Sequence, residues 1–121
     1  MSTEGPDRLR VLFCIGVRDA FFDAGPGDRQ EAFEAIPPAF ADLRKRFGIE
    51  VLATIDDDRL MVGPSSSWPW TSYVLADAPD LDAVAGVCNI LRSTDLESGN
   101  KLWRYLKIEA RVGRPLFFGN E

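Results

Sequence analysis

Aromatic side chains of a type suited to binding a flat ring lie in the second half of the chain. The segment PSSSWPWTSY, residues 64–73, places two of the three tryptophans around a proline that fixes its own backbone angle. Contacts between such rings and a flat ligand contribute on the order of 1 kcal/mol each beyond burial. The candidate ring-binding residues are Trp68, Trp70, Tyr73, Trp103 and Tyr105. We expect Trp70 at the mouth of a pocket and Trp68 at its rim. The alternative is that these rings pack the end of a small core.

Arginines close to these rings in sequence are candidates for holding a carboxylate. A guanidinium donates two parallel hydrogen bonds to a carboxylate from a planar fork, so an acidic ligand would suit such a site. The candidates are Arg92, Arg104 and Arg111. Arg92 has a competing interpretation, because a cation in the last turn of a helix commonly interacts with the helix end itself.

Proton transfer is the chemistry that the remaining candidates would perform. A carboxylate in a half-apolar cavity can have its pKa moved toward neutrality, which suits a general acid or base. Glu109 is the first candidate for this role and Asp56 the second. Tyr73 or Tyr105 would donate a hydrogen bond to negative charge that develops on the substrate. The alternative is that Glu109 and its neighbour Arg111 are ordinary charges on an edge strand.

Composition argues against several other classes of site. The chain has no histidine, which removes His-dependent triads, histidine-ligated haem and most zinc sites. Asp56, Asp57 and Asp58 are consecutive, so they project in different directions and lack the spaced ligands of a calcium loop. We therefore expect no metal and no cofactor. Cys14 and Cys88 lack CxxC spacing and are predicted to be reduced thiols.

Charge and hydropathy predict the compartment of the protein and the classes of partner that it does not bind. The net charge of −5 opposes nucleic-acid binding, which requires cations along the phosphates. The start, MSTEGPDRLR, has no apolar run of the kind found in a signal peptide. No stretch approaches the roughly 18 consecutive apolar residues of a membrane span. We expect a cytoplasmic protein that contacts neither nucleic acid nor membrane.

The elements that would position these residues alternate between strands and helices. The predicted strands are LRVLFCIGV (9–17), IEVLATI (49–55), TSYVLAD (71–77) and LWRYLKIEARVG (102–113). Apolar residues recur every three or four positions from Asp28 to Phe47, which predicts a helix with a kink or break at Pro37 and Pro38. A second helix is predicted within residues 77–93, with Asp77 as its candidate N-cap.

This order predicts a ferredoxin-like α+β fold of βαββαβ type. In that fold a four-stranded antiparallel sheet carries two helices on one face. The length of 121 residues fits a single domain over residues 1–121, with 1–8 as a flexible N-terminus.

Strand alternation predicts what the face opposite the helices presents. Leu106, Ile108, Ala110 and Val112 belong under the helices. The residues predicted opposite are Leu12, Cys14, Tyr73, Leu75, Tyr105, Lys107, Glu109 and Arg111. Such a face is too apolar to be left in water, and its charges need partners if they are buried. We therefore expect a homodimer whose two sheets face each other and enclose a partly polar cavity.

Three stretches of the chain resemble a known family. They are DDDRLMVGPSSSWPWTSYVLADAPDLDAV, CNILRS and LWRYLKIEARVGRPL, of which MVGPSSSWPWT and LWRYLKIEARVGR are the most specific. The chain resembles, from its first strand to Arg114, the small IacB proteins encoded with bacterial indole-3-acetic acid degradation enzymes. The resemblance implies a dimeric α+β barrel and a role in auxin catabolism, and it supplies no established catalytic residue.

Two kinds of function follow from these observations. The first is a cofactor-independent isomerase, lyase or oxygenase-like enzyme that acts on an indole-derived or related aromatic acid held between two protomers. The second is a non-catalytic accessory protein that holds a pathway intermediate for a larger oxygenase.

Overall fold

A four-stranded antiparallel sheet organises the residues that the computed structural model describes, which are 8–58, 62 and 70–119. The strands are β1 (Leu9–Val17), β2 (Glu50–Asp56), β3 (Ser72–Ala78) and β4 (Leu106–Gly113). Their order across the sheet is β2-β3-β1-β4, and every neighbouring pair is antiparallel. With helices between β1 and β2 and between β3 and β4, this is the ferredoxin-like βαββαβ fold that the sequence predicted.

Helices fill both crossovers. They are α1 (Asp19–Asp23), α2 (Pro26–Ala39), α3 (Leu43–Phe47), α4 (Leu81–Cys88) and α5 (Ile90–Ser93), followed by a single 3₁₀ turn, Leu102–Arg104. The predicted break occurs slightly later than Pro37 and Pro38, which lie in the last turn of α2. Each proline lacks an amide donor, and the helix ends one residue after the second. Among the described helices, none has both the length and the apolarity needed to cross a bilayer.

The second crossover begins three residues later than predicted. Asp80 is the N-cap of α4, and its Oδ1 accepts a hydrogen bond from the Ala83 amide at 2.8 Å. Asp77, the predicted cap, instead lies within β3 and forms an ion pair of 2.7 Å with Arg10. The sheet therefore continues through the position where the sequence predicted a helix start.

The last strand is shorter than predicted, which moves Tyr105. The 3₁₀ turn occupies Leu102–Arg104, and β4 begins only at Leu106. Tyr105 lies between them, is 2% exposed and packs in a buried cluster on the helix side. Its ring meets Phe21 edge to face, with 6.3 Å between centroids. The prediction that Tyr105 faces away from the helices is therefore wrong.

Both buried hydrophobic clusters of the described residues lie on the helix side of the sheet. Val11 and Phe13 of β1 are at most 1% exposed there and pack with side chains of α4. Ile108 and Ala110 of β4 pack against the same cluster, as the alternation predicted, whereas Val112 at the end of β4 remains 43% exposed. The Phe47 ring of α3 packs directly against Gly86 of α4, which has no side chain of its own to hold it off.

The opposite side of the sheet, here called the open face, is formed by the alternate residues of β1, β3 and β4. Its members are Leu12, Cys14, Tyr73, Leu75, Lys107, Glu109 and Arg111. Tyr73, Cys14 and Glu109 are paired in one row across three strands, and Leu75, Leu12 and Arg111 form the next row. These pairings confirm the predicted facing of every residue in the set except Tyr105.

Candidate functional site

The centre of the open face is a buried thiol between two polar side chains. Cys14 is 1% exposed although it belongs to neither hydrophobic cluster. Its cross-strand neighbours are Tyr73 on β3 and Glu109 on β4. Cys14 and Cys88 are both free thiols, as predicted. The polar side chains of Tyr73 and Glu109 therefore flank a closely packed thiol at the centre of the open face.

The Tyr73 hydroxyl donates a hydrogen bond to Asp57 Oδ2 at 3.2 Å, and the Trp70 carbonyl oxygen lies 3.5 Å from the same hydroxyl. Burial raises the pKa of Tyr73 above its ordinary value of 10.0. The hydrogen bond to Asp57 and the charge of that carboxylate raise the pKa further, because both favour the neutral phenol. Tyr73 is thus a neutral proton donor held against an acceptor.

Sequence reasoning selected Asp56 and missed Asp57. Tyr73 pairs with Ile55 across the sheet, so the residue two positions after Ile55 shares its face and comes next to Tyr73. Asp56 pairs with Ser72, faces the opposite side and is exposed. The register between β2 and β3, had it been assigned, would have identified Asp57.

Glu109 and Arg111 pair with each other on β4. Arg111 donates from a terminal nitrogen to Glu109 Oε2 at 2.8 Å, and their side chains are 65% and 40% exposed. An exposed pair of this kind contributes about 0–1 kcal/mol to stability, so its value to the fold is small.

An aromatic ring and a cation meet at the end of the open face. Lys107 Nζ lies 5.2 Å from the centroid of the Trp70 ring. Lys107 is on β4, Trp70 directly precedes β3, and β1 lies between the two strands. Lys107 pairs with Gly16 of β1, which has no side chain to stand between them. The predicted companion of Trp70, Trp68, lies outside the described residues.

The other predicted binding residues lie elsewhere. The Arg92 guanidinium carbon is 5.3 Å from the Trp103 ring centroid, in a cleft on the free edge of β4. The Arg104 guanidinium is 6.0 Å from the Tyr105 ring, in a different cleft that Asp23 and Asp28 also line. The predicted site residues are therefore not brought together: of those that the structure describes, only Tyr73, Glu109, Arg111 and Trp70 belong to the open face or its end.

Proton transfer and the binding of an anionic aromatic compound are the chemistry that this arrangement can support. A phenol hydrogen-bonded to a carboxylate can pass a proton, Trp70 offers a ring, and Lys107 and Arg111 offer positive charge. Within the described ranges, Cys, Asp and Glu side chains form no group of three or more that could hold a metal ion.

No protein-family model matches this chain, and no curated protein matches it. Solved structures do match. A protein of unknown function from Rhodopseudomonas palustris is 17% identical over 93% of this chain and 85% of its own, with a TM-score of 0.55. At that identity the likeness supports the fold alone.

A second solved structure is a dimeric protein of unknown function with a ferredoxin-like fold, from Bacteroides fragilis. It is 12% identical, covering 87% of this chain and 95% of its own, with a TM-score of 0.39. A likeness this distant carries no argument about assembly. The side chains of the open face are therefore what bears on function.

Proposed function

We propose that the chain is a homodimer that binds an aromatic carboxylic acid between two open faces and transfers a proton on it without a cofactor. The resemblance to IacB proteins makes an indole-derived acid of auxin catabolism the first choice of ligand. The observation that carries the proposal is the hydrogen bond between Tyr73 and Asp57 on a sheet face that the helices leave uncovered.

The composition of the open face supports closure by a second copy. Leu12 and Leu75 are paired in one row, and Ile55 of β2, which is 59% exposed, pairs with Tyr73 in the next row. Apolar side chains of this size stay in water only at a cost, and burial would recover about 25 cal/mol per Å². The polar groups alongside are already paired, Glu109 with Arg111 and Tyr73 with Asp57, so their burial would leave few unpaired charges.

A bound acid would use the charges and the ring together. Its aromatic part would stack on Trp70, whose ring attracts Lys107. Its carboxylate would bind Arg111 through the planar fork and compete with Glu109 for that guanidinium. Displacement from Arg111 would free the Glu109 carboxylate to accept a proton from the ligand.

Tyr73 would donate the proton that the ligand gains. Before the ligand binds, Asp57 accepts the hydroxyl proton of Tyr73 in the 3.2 Å hydrogen bond. On binding, the hydroxyl would turn that single proton toward a ligand oxygen on which negative charge develops, and then transfer it. Glu109 gains the proton that the ligand loses and Tyr73 gives one up, so the ligand is isomerised with no net loss of protons. Water would then take the proton from Glu109 and return one to Tyr73.

The accessory role remains a second candidate because of one observation. The Glu109 carboxylate is already bound by Arg111, which is the arrangement of a structural ion pair as much as of a catalytic base. A protein of this kind would hold an intermediate for a larger oxygenase and perform no chemistry.

Product analysis with purified protein separates these functions. Indole-3-acetate and its oxidised derivatives are incubated with wild type, Tyr73→Phe, Glu109→Gln, the exposed control Lys45→Gln, or no protein. We expect wild type and Lys45→Gln to change the product distribution, and each active-site variant to lower the rate by about 10²-fold or more. Saturable binding with unchanged products would establish the accessory role, and the absence of both binding and turnover would refute the proposal.

A further inference from the structure

A cleft on the free edge of β4 brings two guanidinium groups together on the helix side of the sheet. Arg18, directly after β1, donates from Nε to the Leu106 carbonyl oxygen at 3.1 Å, which fixes its side chain along the strand edge. Arg92, on α5, lies with its guanidinium carbon 5.3 Å from the Trp103 ring centroid. Both arginines and Trp103 line the same cleft of about 170 Å³.

The cations of this cleft are not matched by carboxylates in the part of the chain that the structure describes. No Asp or Glu is among the described residues that line it. The ion pairs among the described residues involve Arg10, Lys101 and Arg111, so neither Arg18 nor Arg92 has a carboxylate within 4 Å there. The chain has 19 acidic residues against 14 basic ones, so carboxylates are not scarce. Three cations therefore line this cleft, Arg18, Arg92 and Lys107, with no carboxylate among the described residues that line it.

The other walls of the cleft suit an anion better than a cation. Leu91 and Ile108 provide apolar surface, and Cys88 is half-buried between them and the arginines. Burial raises the pKa of the Cys88 thiol, so it stays protonated and adds no negative charge. Apolar walls keep water away, so the attraction between an anion and the guanidinium groups is weakened less by water in the cleft than on an open surface.

The size of the cleft limits the ligand. A volume of about 170 Å³ is below the roughly 300–1,000 Å³ of sites for drug-sized ligands. It accommodates a few groups the size of a water molecule, each taking about 30 Å³ of liquid volume. A small oxyanion, or the acidic end of a larger ligand, fits this space.

We propose that Arg18 and Arg92 form a binding site for a small oxyanion, a carboxylate or a phosphate, at the β4 edge. The hydrogen bond to Leu106 uses Nε of Arg18, so its terminal nitrogens would be the donors to the anion, and the Arg92 guanidinium, over Trp103, would supply the others. Lys107 of the open face also lines the cleft, so the two sites adjoin, but the oxyanion site does not depend on the function proposed for the open face.

Side-chain nuclear magnetic resonance tests the site. Arginine Nε–Hε and tryptophan indole signals are followed while wild type is titrated with sodium phosphate or sodium acetate, with sodium chloride at matched ionic strength as reference. We expect saturable shifts of the Arg18, Arg92 and Trp103 signals with at least one oxyanion. Comparison of the two affinities identifies phosphate or carboxylate as the ligand chemistry.

Matched variants make the test specific. Arg92→Gln and Arg18→Gln should each weaken oxyanion binding at least tenfold, whereas Lys45→Gln on α3 and Tyr73→Phe on the open face should leave it unchanged. If Arg92→Gln does not fold, Arg92→Lys keeps the charge, removes the planar fork and should still weaken binding. Equal shifts with chloride, or oxyanion affinities that the Arg18 and Arg92 variants leave unchanged, would overturn the proposal.

Discussion

The hydrogen bond between Tyr73 and Asp57 sets the protonation of the open face at the scale of single residues. Tyr73 is partly withdrawn from water and faces an acceptor, and both conditions favour its neutral form. A phenol in this state can donate a proton at neutral pH but does not act as a base. The role of proton donor proposed for Tyr73, rather than that of base, therefore agrees with its surroundings.

Spectroscopic titration of Tyr73 tests this account. The chain has two tyrosines, so the tyrosinate absorbance of wild type minus that of Tyr73→Phe reports Tyr73 alone. We expect a midpoint above 10.0 in the folded protein. In Asp57→Asn the midpoint should fall but remain above 10.0, because burial is the largest cause of the shift. A wild-type midpoint at or below 10.0 would contradict the geometry.

The same shift has a consequence for stability, with a definite sign. The pKa of Tyr73 is higher in the folded state than in the unfolded chain, so the folded state binds this proton more tightly. The stability contributed by the neutral phenol is complete below about pH 10 and is lost as the pH rises through the folded-state pKa. Wild type should therefore lose more stability in alkali than Tyr73→Phe does.

The facing and the neighbours of single residues were the hardest features to predict from sequence. Alternation correctly assigned Glu109 and Tyr73 to one face, because a two-residue period depends only on local order. It failed at Tyr105, where a 3₁₀ turn interrupts the strand and reverses the facing. Asp57 was missed because its position beside Tyr73 depends on the register between two strands that are distant in sequence.

The packing of α3 against α4 depends on one glycine at the scale of elements. A Cβ placed on Gly86 would lie 2.5 Å from Cε1 and 2.8 Å from Cδ1 of Phe47. Both distances are far shorter than ordinary contacts, so the Phe47 ring or the helix would have to move. Neither helix is long, and α3 has only five residues with which to absorb a shift.

Gly86→Ala should therefore destabilise the protein by about 1–3 kcal/mol, as overpacking of a close contact does. Gly27→Ala on α2 is the matched control, because its added Cβ meets no atom within 4 Å. Alanine is the better helix former by about 0.5–1 kcal/mol, so this control should be neutral or stabilising. Urea denaturation of both variants gives the comparison, and equal stability of the two would contradict the packing.

Elements were easier to predict than residues because periodicity and turn residues are local signals. The order of strands and helices was confirmed, and α3 ends at Gly48, whose positive φ of 73° is one that glycine adopts readily. The boundaries shifted where a competing interaction prevailed. Asp77 lies in the sheet and forms an ion pair with Arg10, and Asp80 caps the helix instead.

The open face is the feature on which the proposed function of the whole molecule depends. In the proposed dimer its leucines and paired charges would meet a second copy, and the enclosed space would bring together Tyr73, Glu109 and Trp70. Leu12 lies within this face, directly across from Arg111 on β4. An arginine in place of Leu12 would put an unpaired charge where the proposed interface buries an apolar side chain, and the cost of burying that charge would oppose association.

Sedimentation equilibrium at micromolar concentration tests the central claim most directly. We predict a mass near twice the 13.5 kDa of one chain for wild type. Leu12→Arg should sediment as a folded monomer, and the control Phe33→Arg, which replaces a side chain 69% exposed on α2, should remain a dimer. A wild-type mass of 13.5 kDa, or a dimer that Leu12→Arg leaves intact, would contradict closure of the open face by a second copy.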